Sequence, residues 1–251
     1  MIRIKQLTKV FDGHVVTDHL DLDIPKGKMT CIIGRSGEGK SVLLKQIIGL
    51  IKPTSGSIFI DDIDIVQLTE KEHDAIYEKC GYVFQFAALL DSLTIFENVG
   101  ISLLEQGKNR DEVRAIVVQK LREVNLDEDV LDKYPSELSG GMRKRVGLAR
   151  TLIRNPQIIL YDEPTTGLDP ITSRVVHELM AAMQKKLNVT SVVISHDLEI
   201  FKYVDYIALL HEGKIRYFGP AATIWESDNP YIYQFIRGLP EGPIQSEKNP
   251  Q

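Results

Sequence analysis

The sequence predicts an α/β fold with a mixed central sheet, an antiparallel β subdomain at its start and an α-helical subdomain inserted in its middle. Three observations carry that expectation. Residues 29–48 read in succession as an apolar strand, a glycine-rich loop and a helix-spaced run. Residues 2–24 alternate apolar with polar, at Ile2, Ile4, Leu20, Leu22 and Ile24, the period of strands with one face buried. From Thr94 to Val124 the period turns helical, and Val113, Ile116, Val117, Leu121 and Val124 form one apolar stripe among charged residues. A chain of 251 residues can bury the core of one large α/β domain with a subdomain inserted. The boundaries fall at 1–238 for the domain, about 86–154 for the helical subdomain and 239–251 for a tail.

Taken in order, the alternating strands come first, and Phe11 between them reads either as a core aromatic or as a ring that stacks on an adenine. Pro25, Lys26 and Gly27 turn the chain into the strand Met29–Ile33. The residues Gly34, Arg35, Ser36, Gly37, Glu38, Gly39, Lys40 and Ser41 then spell G-x-x-x-x-G-K-S, a phosphate-binding P-loop in the strand–loop–helix context the motif needs. The glycines let backbone amides close on phosphate oxygens, and the positive end of the helix that Val42 enters adds to that field. Lys40 is placed to reach the outer phosphates, and the Ser41 hydroxyl to coordinate Mg²⁺.

Downstream, residues 57–61 read as a strand and 69–79 as a short polar helix. Residues 81–84 form another strand ending at Gln85, which is either a solvated loop residue or a contact to metal or water. After the inserted helical stretch, Ser139 is a good N-cap, and Gly140 and Gly141 leave first-turn amides uncovered, so this helix start can receive an anion. Its other reading is an ordinary capped helix, which needs no glycine pair in a turn where each lowers helix propensity. Residues 157–164 are an apolar strand closing on Asp162 and Glu163, the Walker B pattern. Asp162 can hold Mg²⁺ through water and Glu163 can deprotonate the attacking water. Pro170 opens the next helix, residues 190–194 are a buried strand, and His196 beyond it reads as a structural histidine or a γ-phosphate contact.

Thirty basic against thirty-five acidic residues give a net charge of −5, which argues against nucleic acid held on a broad basic face. The start lacks the apolar core of a secretory signal and no run approaches eighteen apolar residues, so a cytoplasmic chain is expected. Cys31 and Cys80 read as buried apolar groups of a reducing compartment. In the tail, Pro240, Gly242, Pro243 and Pro250 stop the preceding helix and Lys248 is the only cation, a composition suited to a solvated end.

Gly34 to Ser41, Gln85, Leu138 to Met142, Tyr161 to Pro164, Gly167 to Asp169 and His196 stand in the order found in ATP-binding cassette (ABC) ATPases, and the chain resembles that family from Met1 to about Gly238. The resemblance implies a dimer with two ATP molecules sandwiched between the loop of one cassette and the Ser139-Gly140-Gly141 helix of the other. It makes Glu163, His196 and Gln85 catalytic, residues 34–42 with Phe11, Ser139, Gly140 and Gly141 ATP-binding, and Ser41, Gln85 and Asp162 the Mg²⁺ ligands. Met142 departs from the family's usual glutamine.

Residues 88–99, 138–146 and 234–244 further resemble the ATPases of Mla-type, Mce-associated phospholipid transporters, whose work bears on outer-membrane lipid asymmetry. That resemblance implies an integral permease dimer, an Mce lipid-binding protein and a small accessory subunit as partners. It also implies a peripheral place on the cytoplasmic face of the inner membrane and a tail laid as a strap on the partner ATPase, anchored by Ile244. The alternative within transport is an importer of amino acids or other small solutes. A chromosome-maintenance ATPase would place a long coiled coil between Ser41 and Ser139, and a translation-associated one would carry two cassettes.

Overall fold

The computed structural model describes residues 1–245. Along the chain run β1 (Ile2–Phe11), β2 (His14–Ile24), β3 (Met29–Ile33), α1 (Lys40–Ile47), β4 (Ser55–Ile60), β5 (Ile63–Asp64), α2 (Glu70–Lys79) and β6 (Cys80–Val83). There follow α3 (Ile95–Glu105), α4 (Arg110–Glu123), α5 (Gly140–Leu152), β7 (Ile158–Asp162), α6 (Pro170–Leu187), β8 (Thr190–Ile194), β9 (Tyr206–His211), β10 (Lys214–Pro220) and α7 (Pro230–Arg237). Two units divide these elements, one formed by residues 1–76 with the chain from Val192 onward, the other by Tyr77–Ser191, so the boundaries fall inside α2 and β8.

In the first unit the antiparallel sheet β2-β1-β4-β5 follows from the alternation of residues 2–24. Ile2 pairs with Ile24 and Ile4 with Leu22 across β1 and β2, which puts all four on one buried face. Each such side chain contributes roughly 1.5–3 kcal/mol on burial. The second sheet of this unit is mixed: β3 runs parallel to β9, and β9 antiparallel to β10. All five residues of β3 are buried, so it shows a continuous apolar run and no alternation. Leu43, Leu44 and Ile47 of α1 are buried too, and this fixes the helix that follows the loop.

In the second unit β6 and β7 are parallel, with Val83 opposite Tyr161, so Gln85 lies just past the end of one strand and Asp162 closes its neighbour. The helical stretch expected from Thr94 to Val124 is in fact two helices. Gly107 takes a φ of 75°, and Asn109 caps α4 by accepting from the amide of Asp111 at 2.8 Å. The turn chemistry of Gly107 and Asn109 wins over the apolar spacing that seemed to run on. Thr94 starts α3 with a capping box to Glu97. Val113, Val117 and Leu121 of α4 are fully buried, as are Val146, Ala149 and Leu152 of α5. No helix among the described residues is long and apolar enough to cross a membrane.

Candidate functional site

The first unit presents the phosphate loop. Lys40, only 5% exposed, donates from Nζ to the carbonyls of Gly34 at 2.9 Å and Arg35 at 2.7 Å, so the ammonium is already held inside the loop. Gly39 caps α1 with a φ of 85°, and a Cβ there would stand 2.3 Å from Cγ1 of Val16, so glycine is required both by conformation and by the approach of β2. No side chain caps this helix, which leaves its first amides to a ligand. Ser41 and Val42 occupy its first turn and are half-buried.

Two loop side chains reach distant parts of the same unit. Oε1 of Glu38 lies 2.8 Å from Nδ1 of His211, and its Oε2 accepts from the amide of Glu212 at 2.7 Å. Arg35 donates from Nη1 to the carbonyl of Gln245 at 2.6 Å. Ser36 and Gly37 form the exposed tip of the loop. Phe11 ends β1 with its ring 41% exposed and the ammonium of Lys9 at 4.5 Å from its centre, so it is not a core aromatic. His196 follows β8 and is exposed, while the next backbone amide, of Asp197, is held by Ser195 Oγ at 3.0 Å. Burial pushes the Cys31 thiol up to about 12, as it does that of Cys80, and both cysteines are free thiols.

The second unit carries the carboxylates. Glu163 sits just beyond β7 with a left-handed φ of 49°, an uncommon backbone for a non-glycine residue. Its Oε2 accepts from Nε2 of Gln85 at 3.2 Å and from the hydroxyl of Thr166 at 2.9 Å. Oδ2 of Asp162 accepts from the Tyr82 hydroxyl at 2.8 Å. Burial, and then the charge of Asp162, raises the Tyr82 pKa, so the phenol stays a donor. Lys144, 8% exposed, donates to the carbonyl of Gln85; burial lowers its pKa and the charge of Glu163 opposes that.

Ser139 caps α5, accepting from the Met142 amide at 3.3 Å, and Gly140 opens the helix. A Cβ on Gly141 would stand 2.5 Å from Cγ2 of Thr172, and Thr172 is itself tied to the α6 cap Asp169 at 2.6 Å. The contact between α5 and α6 is thus a second reason for glycine at 141, beside uncovered amides.

Sequence reasoning found the loop, Asp162 and Glu163 because each is a local pattern. It missed Tyr82, Thr166, Lys144 and the pair of Glu38 with His211. Only for Thr166, three residues beyond Glu163, was there a nearby signal; the others join residues 59 to 173 positions apart. No cluster of three or more His, Cys, Asp or Glu able to hold a metal occurs among the described residues. Ser41, Gln85 and Asp162 each carry an oxygen donor, a hydroxyl, an amide and a carboxylate respectively, the ligand chemistry that hard cations such as Mg²⁺ take.

A family model described as ABC transporter matches residues 17–166. The chain is 40% identical over 245 residues to the probable ribonucleotide transport ATP-binding protein mkl of Mycobacterium leprae, a match covering 97% of this chain and 70% of that protein. It is 36% identical over 247 residues to the intermembrane phospholipid transport system ATP-binding protein MlaF of Haemophilus influenzae, covering 98% of this chain and 93% of that protein. The methionine import ATP-binding protein MetN of Carboxydothermus hydrogenoformans is 40% identical over 241 residues, covering 94% of this chain and 71% of its own length. Among solved structures, the dimeric ATP-binding cassette MJ0796 in a post-hydrolysis state with ADP and Pi aligns with a TM-score of 0.81 and 32% identity, over 88% of this chain and 99% of that one.

Proposed function

The chain belongs to the ABC transporter ATPases, hydrolysing ATP to drive transport as a dimer with membrane permease partners, and from that premise we propose a division of labour among its residues and a phospholipid cargo. The observation that carries the chemistry is the carboxylate of Glu163, held by Gln85 and Thr166 at the end of a buried strand. Glu163 is the general base that takes a proton from the attacking water, and Gln85 orients that water. Lys40, the loop amides of residues 34–42 and the start of α1 bind the phosphates, Phe11 offers its exposed ring to the adenine, and His196 contacts the γ-phosphate. Ser139, Gly140 and Gly141 supply the anion-binding helix start that closes on ATP held by the other subunit. Ser41, Gln85 and Asp162 would hold Mg²⁺, which when bound neutralises developing charge on the phosphates.

The phospholipid reading rests on 36% identity to MlaF along 98% of this chain and on the resemblance of the segments 88–99, 138–146 and 234–244 to the Mla-type ATPases. It brings with it an Mce lipid-binding protein, a small accessory subunit and a peripheral position on the inner membrane. The 40% identity to MetN favours a second reading, import of an amino acid or similar solute. Purification of the native membrane complex through this subunit, with lipid analysis of the co-purified permease and lipid-binding components, separates the two. Enriched phospholipid with an Mce component supports the first; a lipid-poor complex with a solute-binding protein overturns it.

A further inference from the structure

Directly after β6 the chain makes a turn, Gln85 to Ala88, whose geometry no local sequence pattern explains. Ala87 and Ala88 are both left-handed, with φ of 60° and 48°, a conformation in which a Cβ crowds the following carbonyl. The turn has one internal backbone bond, from the Ala87 amide to the Phe84 carbonyl at 3.1 Å. What fixes it comes from α5. Lys144 donates to the Gln85 carbonyl, and Arg150 donates to the carbonyls of Ala87 and Ala88, each at 2.7 Å. Ala87 lies so close to α5 that a Cβ on Gly147 would be 3.2 Å from its own. Two cations and a glycine on one face of a single helix, spaced at 144, 147 and 150, therefore grip consecutive parts of the turn.

A buried ammonium is costly to desolvate unless something holds it there. Lys144 is 8% exposed, and its bond is to a neutral carbonyl. The carboxylate that acts on its charge is Glu163, the same group that accepts from the Gln85 side chain. Backbone and side chain of Gln85 are thus both tied to one small electrostatic cluster.

We propose that Lys144 and Arg150 are positioning residues for ATP hydrolysis: by clasping the carbonyls of Gln85, Ala87 and Ala88 they hold this turn in its left-handed form and set the Gln85 amide against Glu163. This rests on the reading of Gln85 and Glu163 as the hydrolytic centre. Because Ser139 caps the start of α5, the clasp ties the ATP-closing helix start and the Gln85 turn to one helix.

The test uses the full chain, with Lys144→Met, Arg150→Met and Gly147→Ala. The last adds a methyl against Ala87 without removing a charge, and so keeps the idea testable should a buried methionine unsettle the fold; thermal unfolding checks each variant. Hydrogen exchange on the nucleotide-free protein, followed in the peptide covering residues 84–90, should accelerate on the order of tenfold in every variant. The kcat for ATP should fall by about tenfold while KM for ATP changes less than about twofold. Unchanged exchange overturns the clasp, whatever the rate does. Faster exchange with unchanged kcat overturns the role of the turn in hydrolysis. In that case a Glu163→Gln variant that also turns over normally locates the failure in the underlying assignment, and a stalled one locates it in the clasp.

Discussion

In the proposed division of labour Lys40 grips the nucleotide and Glu163 acts on water. Lys40→Ala removes a buried cation already aimed into the loop, so affinity for ATP should fall about 10- to 100-fold, as expected for losing a charge-assisted bond, and turnover should vanish. Glu163→Gln keeps shape and hydrogen bonding but cannot take a proton, so ATP binding should persist while kcat drops by about 10²- to 10⁴-fold. Binding of a fluorescent ATP analogue and phosphate release, measured on both variants, check the split; equal affinity in the two contradicts it. Residues of this kind were legible because a loop motif and a carboxylate pair are local. Tyr82, which holds Asp162 from 80 positions away, left no local trace, since its partner is set by the parallel pairing of β6 and β7.

Among the elements, α4 shows how a helix end is held by charge. Lys120, 6% exposed, reaches Glu123 at 3.3 Å and Asn155 at 2.9 Å, and Lys186 of α6 reaches the other oxygen of Glu123 at 3.2 Å. Burial raises the pKa of Glu123, but the two lysines outweigh it and hold the carboxyl below its ordinary value. A group whose folded pKa is depressed stabilises the fold above its unfolded pKa and loses that contribution as pH falls through the folded value. Melting temperature measured from pH 7 down to pH 3 should therefore fall less steeply for Glu123→Gln than for the parent, from a lower start at pH 7; parallel curves would disprove the coupling. Helices α1, α5 and α6 were readable from caps and apolar spacing. The break between α3 and α4 was not, because the stripe of Val113 to Val124 and the apolar residues of α3 share a period that hides two turn residues. The start and stop of α7 are legible in Asn229, Pro230 and Gly238, whereas the alternation of β9 is erased by full burial of nearly all its residues.

For the molecule as a working part of a transporter, the second unit offers a cleft of about 390 Å³ lined by Tyr77, Tyr82, Phe84, Ala88, Ile101 and Arg150, with Phe86, 80% exposed, in the turn beside it. We propose that the permease touches this face, where the exposed ring adjoins an apolar cleft. Phe86→Asp should leave the ATPase activity of the isolated subunit within about twofold and abolish stimulation by the permease complex, a comparison made by assaying both preparations side by side. The described part of the tail is not the solvated end that its composition suggests. Gln234 of α7, 5% exposed, donates to the carbonyls of Leu239 at 3.2 Å and Ile244 at 2.8 Å and accepts from the Ile244 amide at 2.7 Å, and Ile244 is buried. The described part of the tail is thus folded on its own subunit; Lys248 and Pro250 lie outside the described residues, and the strap on a partner ATPase remains a proposal. Truncation after Gly238 strands the buried Gln234 amide and removes Ile244, so stability should fall by about 3 kcal/mol. Differential scanning calorimetry of the truncated monomer reads this directly, and an unchanged melting temperature would refute it.

The contact of Glu38 with His211 has a further meaning on the ribosome. The two residues are 173 positions apart and Arg35 is 210 positions from Gln245, while β3, which carries the loop, takes β9 as its neighbour. At about 5–20 residues per second, translation needs roughly 9–35 s to pass from Glu38 to His211. For that interval the nucleotide loop exists as sequence without the strand and the imidazole that shape it. A chain interrupted before His211 therefore carries the phosphate loop without the contacts that brace it.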